Sequence, residues 1–139
     1  MRKRNNSSEK IWRRKTIETL EKRDFGNLAK APTSMTKRCL ELCKVPLSDF
    51  TVEDLRLMIG QGFALRYLIP LAIEHLKEDI FTEGSLFPGD LLKNVLAVDR
   101  EFWNANTELW SEVSGLIRGR HAALATSKIR TETFESAMG

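Results

Sequence analysis

Histidine, cysteine and clustered carboxylates are the residues of this sequence that could carry out chemistry. His75 stands between Glu74 and Glu78, a combination that could supply a general base or part of a metal site. A lone histidine without a second ligand-type partner is more often structural, so we interpret His75 as a structural or surface residue. The sequence predicts no catalytic, metal-binding or cofactor-binding residue.

The two cysteines, Cys39 and Cys43, are four residues apart. This spacing places both thiols on one face of a helix and differs from the C-x-x-C motif of redox sites. We interpret them as small hydrophobic residues of the core. The sequence also has no glycine-rich phosphate loop, no H-E-x-x-H motif and no nucleophile elbow. Together these absences predict a binding or interaction protein rather than an enzyme.

Helical periodicity dominates the segment 47–98, which contains most of the candidate residues. Apolar side chains return to one face every three or four residues, and no strand-like alternation competes with this pattern. Thr51 and Asp54 form a helix-start signature, because their side-chain oxygens can accept hydrogen bonds from the first turn. The most apolar helix is predicted over 64–79. Pro70 inside it should produce a kink, because proline lacks an N–H.

The sequence on either side of the segment 47–98 also has helical periodicity. Helices are also predicted over 8–22, 35–43, 88–98, 100–117 and 120–129. The predicted fold is all-α: a single-domain helical bundle of about five to seven helices with a proline-kinked central helix. We expect a basic N-terminal tail at 1–7, a helical domain at 8–129 and a mobile C-terminal tail at 130–139.

The composition is that of a soluble globular protein. Of the 139 residues, 42% are hydrophobic and 29% are charged. The apolar runs are much shorter than the ~20 residues needed to span a bilayer. The basic N-terminus is followed by no apolar segment of the secretory type. We therefore expect a cytoplasmic protein without a membrane-spanning segment.

Charge is distributed unevenly along the chain, although the net charge is only +3. Residues 1–23 carry nine Lys/Arg against three Asp/Glu, a net charge of +6. Residues 47–98 carry four against eight, a net charge of −4. An acidic helical surface of this kind would complement a partner with a basic, nucleic-acid-binding cleft.

Three motifs in the central segment carry a resemblance to a known family. They are LSDFTVEDLRLMIGQ, YLIPLAIEHLKEDIFTEG and FPGDLLKNVL, in this order and with short separations. As a set they resemble the immunity proteins of bacterial contact-dependent growth inhibition (CDI) systems, a family of small helical proteins. The likeness extends over about 16–117. Ala64 and Ser85 depart from it, because a glycine and an acidic residue are expected at these positions.

The resemblance implies a function without catalysis. An immunity protein of this kind stays in the cytoplasm of the producing cell and binds the cognate C-terminal toxin domain delivered by sibling cells, typically a nuclease and most often an RNase. It implies a monomer that binds its toxin 1:1, with no direct contact to nucleic acid and no cofactor. Glu53, Asp54 and Asp90 each have a capping explanation. The best candidate toxin-binding residues of the acidic segment are therefore Glu74, Glu78, Asp79 and Glu83.

Two alternatives belong to other functional classes. A small helical nucleic-acid-binding regulator would use the basic runs Arg2–Arg4 and Arg13–Lys15 as phosphate contacts, and its binding would weaken steeply with added salt. A hydrolase would require His75 or one of the cysteines to be essential for activity.

Overall fold

The computed structural model describes residues 11–24 and 31–138, which form α-helices joined by turns and short 3₁₀ segments. Within these ranges there is no β-strand, only an isolated bridge between Glu83 and Pro88. The predicted all-α class is therefore confirmed. The described residues contain nine α-helices: α1 (Ile17–Glu21), α2 (Ser34–Leu42), α3 (Val52–Gly60), α4 (Leu65–Glu78), α5 (Asp90–Leu96), α6 (Arg100–Ala105), α7 (Thr107–Ile117), α8 (His121–Thr126) and α9 (Glu132–Glu135). The predicted N-terminal tail at 1–7 lies outside the described residues.

The chain divides into two compact units, one ending at Thr51 and the other beginning at Val52. In the described part of the first unit, a threonine caps the N-terminus of each of the helices α1 and α2. The hydroxyl of Thr16 accepts the N–H of the residue three positions later at 3.1 Å, and the hydroxyl of Thr33 does the same at 3.0 Å. These bonds satisfy donors that would otherwise be unpaired at the start of α1 and α2.

Both cysteines of the first unit are buried free thiols, which confirms their interpretation as core residues. Cys39 lies on α2 and Cys43 closes its C-terminal end. Burial raises the pKa of Cys43 to about 12, and the negative charge of Glu18 adds to this effect. The thiolate form needed for nucleophilic or redox chemistry is thus disfavoured.

In the second unit, α4 is the central helix, in contact with α3, α5 and α7. Its buried side chains are Leu68, Ile69, Ala72, Ile73 and Leu76. The helix continues through Pro70 to Glu78, and the kink expected there stays a prediction. Since Pro70 has no N–H, one carbonyl of the preceding turn loses its usual helical partner.

The connection between α3 and α4 uses two residues in the left-handed backbone region. Gly62 has φ +80° and Ala64, which precedes α4, has φ +46° and ψ 42°. Glycine adopts this conformation without steric penalty, whereas alanine is strained in it by about 1–2 kcal/mol. The family resemblance predicts glycine at position 64. The left-handed backbone conformation there is the physical reason why glycine is favoured at this position.

The segment predicted as one helix over 100–117 is two helices, α6 and α7, separated at Asn106. Asn106 has φ −136° and ψ 60°, and its side-chain amide donates to the carbonyl of Phe102 at 2.9 Å. Asparagine favours such breaks because its side chain competes with the backbone for hydrogen bonds.

The C-terminal segment is packed, in contrast to the tail predicted from residue 130. Phe134 of α9 is 1% exposed, stacked on Trp110 at 5.3 Å and edge-on to Trp103 at 5.1 Å. The indole N–H of Trp110 also donates to the carbonyl of Phe134 at 2.9 Å. Phe134 thus packs this segment against α6 and α7, and Arg100 of α6 adds a hydrogen bond to the carbonyl of Ser136 at 3.0 Å.

Candidate functional site

The loop between α4 and α5 is fixed by the carboxylate of Asp90, the first residue of α5. One oxygen accepts the N–H of Gly84 at 2.6 Å, and the other accepts those of Leu86 at 2.9 Å and Phe87 at 3.3 Å. The side chain is 2% exposed. We expected a first-turn carboxylate stabilised by the helix dipole. Asp90 in addition organises residues 83–88, which we call the anchored loop.

A second carboxylate holds the same loop from α3. Glu53 accepts the N–H of Ser85 at 2.8 Å and two hydrogen bonds from the guanidinium of Arg56, at 2.7 Å and 2.6 Å. Arg56 Nε lies 3.9 Å from Asp90 Oδ2, so the cation is shared by both carboxylates. The hydrogen bonds from Arg56 and from the N–H of Ser85 lower the pKa of Glu53 to about 2, against the opposing effect of burial.

Two glycines make room for this network. A Cβ on Gly84 would lie 2.7 Å from Glu53 Oε1, too close for any other residue at this position without rearrangement. Gly89 has φ +91° and forms the N-terminal boundary of α5, where a Cβ would lie 2.6 Å from the side chain of Ile129. Close approach of Glu53 therefore favours glycine at position 84, and both close approach of Ile129 and the positive φ favour glycine at position 89.

The predicted toxin-binding acids lie at the C-terminal end of α4 and in the chain that follows. Glu74 and Glu78 are one helical turn apart, and Asp79 follows the last residue of the helix. Glu83 begins the anchored loop. All four residues are exposed. The structure therefore leaves all four side chains accessible to solvent, and their role in binding stays a prediction.

Asp79 has a local structural role at the end of α4. Its side chain accepts the N–H of Phe81 at 2.9 Å, and its carbonyl accepts the hydroxyl of Thr82. These bonds form the turn that ends α4. Substitution of Asp79 would therefore disturb folding, and an effect on binding could not be separated from it, so Glu78 and Glu83 are better probes of the surface.

Leu86 was not among the residues selected from the sequence. It lies in the anchored loop, and its side chain is 61% exposed. The signal that could have indicated it is a large apolar residue between two turn-forming elements, Glu83-Gly84 and Pro88-Gly89, where neither a helical face nor a strand can bury it.

The residues that could carry out catalysis or bind a metal ion are not clustered in the part of the chain that the structure describes. His75 is exposed on α4, in agreement with its interpretation as a surface residue. No group of three or more His, Cys, Asp or Glu side chains in residues 11–24 and 31–138 is arranged to hold a metal ion. Within the same ranges, no helix has both the length and the apolar character needed to cross a bilayer.

The family comparison agrees with the motifs that build this network. The family model described as CDI immunity proteins matches residues 19–113, more than half of the chain, and this range includes Glu53, Arg56 and Asp90. No curated protein and no solved structure matched the chain. The extent of the family match, together with the motifs within it, shows that this chain belongs to the CDI immunity proteins.

Proposed function

We propose that this CDI immunity protein neutralises a nuclease toxin domain, specifically an RNase, by binding it through the acidic end of α4 and the anchored loop. In this proposal the chain acts in the cytoplasm of the producing cell as a monomer, forms a 1:1 complex with the toxin domain and performs no catalysis. The observation that carries the proposal is the exposure of Glu74, Glu78, Asp79 and Glu83 near and after the C-terminal end of α4, where Glu78 and Asp79 lie at the negative end of the helix dipole.

The carboxylate of Glu78 at this end of the helix does not stabilise the fold. The C-terminus of a helix carries about −0.5 elementary charge, so each nearby carboxylate is disfavoured by roughly 0.3–1 kcal/mol. Asp79 has a compensating hydrogen bond to the N–H of Phe81, whereas Glu78 makes no ion pair with another described residue. A negative surface that is unfavourable for the isolated chain is supported more readily by binding to a positive partner.

A nuclease provides such a partner because its cleft must hold a phosphate backbone. Carboxylates on the immunity protein can pair with the lysines and arginines that would otherwise contact nucleic acid. An interface of about 800 Å² on each protein is sufficient to cover such a cleft. The net charge of the whole chain is +3, so local complementarity rather than overall attraction would determine the fit.

The test uses the C-terminal domain of the large exported protein that we expect to be encoded directly upstream of this chain. The purified domain is incubated with total RNA and with plasmid DNA, and increasing amounts of the immunity protein are added. We expect degradation of RNA, with inhibition complete at one immunity protein per toxin domain. Calorimetry of the same pair should give the same stoichiometry.

Two results would overturn parts of this proposal. A toxin domain that is lethal to cells but degrades neither nucleic acid would exclude a nuclease. A complex of the immunity protein with labelled RNA, formed without toxin and lost steeply as salt increases, would instead support the nucleic-acid-binding alternative.

A further inference from the structure

Leu86 is unusual among the apolar residues of the second unit. In residues 52–138, all of which the structure describes, it is the only large hydrophobic side chain that is exposed. Isolated exposed leucines are common on protein surfaces and need no explanation by themselves. What distinguishes Leu86 is that its backbone is held by a buried ionic network.

The network fixes three consecutive N–H groups around this residue. Ser85 donates to Glu53, while Leu86 and Phe87 donate to Asp90. Removing Asp90 and much of Arg56 from water is unfavourable unless the hydrogen bonds compensate for it. These hydrogen bonds hold the loop in one conformation, in which the side chain of Leu86 is exposed to solvent. A loop that only connected two helices would not require a fixed conformation.

A preformed loop loses little conformational entropy when a partner binds. The loop also begins with the exposed carboxylate of Glu83, directly after the acidic end of α4. An apolar side chain beside charged residues has the arrangement of a protein interface, in which a few central apolar contacts supply most of the affinity and charged groups surround them.

We propose that Leu86 is the apolar anchor of the toxin interface and enters an apolar pocket on the toxin domain that is bordered by lysine or arginine. This inference rests on the proposed function, because the same toxin surface pairs with the acidic end of α4. The occupant of the loop surface is therefore the toxin domain. A second copy of this chain and an unrelated protein are outcomes that the test must separate from it.

The experiment measures the affinity of full-length variants for the upstream toxin domain by biolayer interferometry. Leu86→Ala should weaken binding by about tenfold to a hundredfold, mainly through faster dissociation, as is typical of anchor residues. Leu86→Met should keep affinity within about threefold, because methionine fills an apolar pocket of similar size. Met35→Ala is the matched control, since Met35 is 48% exposed and belongs to the first unit. Melting temperatures confirm that each variant is folded.

Failure of the anchor and failure of the acidic interface give different results. Unchanged affinity for folded Leu86→Ala, with weakened binding by Glu78→Lys, would overturn the anchor alone. Weakened binding by Leu86→Ala and unchanged binding by Glu78→Lys would keep the anchor and remove the electrostatic part of the proposed function. If sedimentation without toxin shows a dimer that Leu86→Ala abolishes, the occupant is a second copy and the anchor proposal is wrong.

Discussion

Reversing the charge of Glu78 should change stability and binding in opposite directions. Glu78 is the last residue of α4, is exposed and makes no ion pair with another described residue. Glu78→Lys replaces an unfavourable charge near the negative end of the helix dipole with a favourable one. Each contribution is about 0.3–1 kcal/mol for an exposed site, so the free energy of unfolding should rise by roughly 0.6–2 kcal/mol.

The same substitution should weaken toxin binding if Glu78 pairs with a cation of the toxin. Loss of one such pair and creation of a like-charge contact should reduce the binding free energy by about 1–3 kcal/mol, which corresponds to about fivefold to 150-fold in Kd. Because the variant is expected to be more stable, weaker binding could not be attributed to unfolding. Glu83→Lys should weaken binding similarly, without the gain from the helix dipole.

The assay combines thermal unfolding with calorimetric titration of the upstream toxin domain, at 50 mM and at higher salt. Glu112→Lys is the matched control, because Glu112 is exposed in the middle of α7, away from both ends of that helix. It should change neither quantity appreciably. If Glu78→Lys and Glu83→Lys both bind like the unmodified chain, the acidic interface is refuted. A lower melting temperature for Glu78→Lys would refute the dipole argument.

Three further substitutions test the fold. Ala64→Gly should raise the free energy of unfolding by about 0.5–1 kcal/mol in urea titration, because glycine removes the left-handed strain at φ +46° but adds unfolded-state entropy. Leu68→Ala should lower it by roughly 2–4 kcal/mol, since this side chain is 0% exposed, whereas Leu86→Ala should change it by less than about 0.5 kcal/mol. Glu53→Gln should destabilise the chain at pH 7. The folded-state pKa of Glu53 is depressed from 4.5 to about 2, so the stabilisation by its carboxylate is present above pH 4.5 and is lost as the pH falls through 2. The difference in urea midpoint between the variant and the unmodified chain should therefore shrink between pH 4.5 and pH 2.

Local signals allowed much of the helical framework to be predicted from sequence. The threonine cap before α2, for example, depends on a hydrogen bond and backbone angles within a few residues. Such features can be recognised from residue type alone. The break at Asn106 was missed because asparagine is compatible with both a helix interior and a helix end, and the apolar pattern continues across it.

Contacts between distant positions were not predictable in the same way. Glu53 and Ser85 are 32 residues apart, and the hydrogen bond between them depends on how α3 packs beside the loop. Phe134 likewise contacts Trp110 across 24 residues. No spacing rule relates such pairs. The exposed acids of α4 could be identified from charge, whereas the exposure of Leu86 became visible only when the loop conformation was known.

The anchored loop is held through its backbone, and this has an evolutionary consequence. Glu53 and Asp90 accept N–H groups at 84–87, which every amino acid except proline can supply. The side chains of Ser85 and Leu86 take no part in the bonds to Asp90, so substitutions there leave that part of the scaffold intact. If the loop contacts the toxin as proposed, an immunity gene can follow changes in its toxin by substitution at Leu86 without first acquiring a compensating mutation elsewhere. At this position partner choice is separated from folding, which allows a lineage to acquire a new pairing while the protein continues to fold.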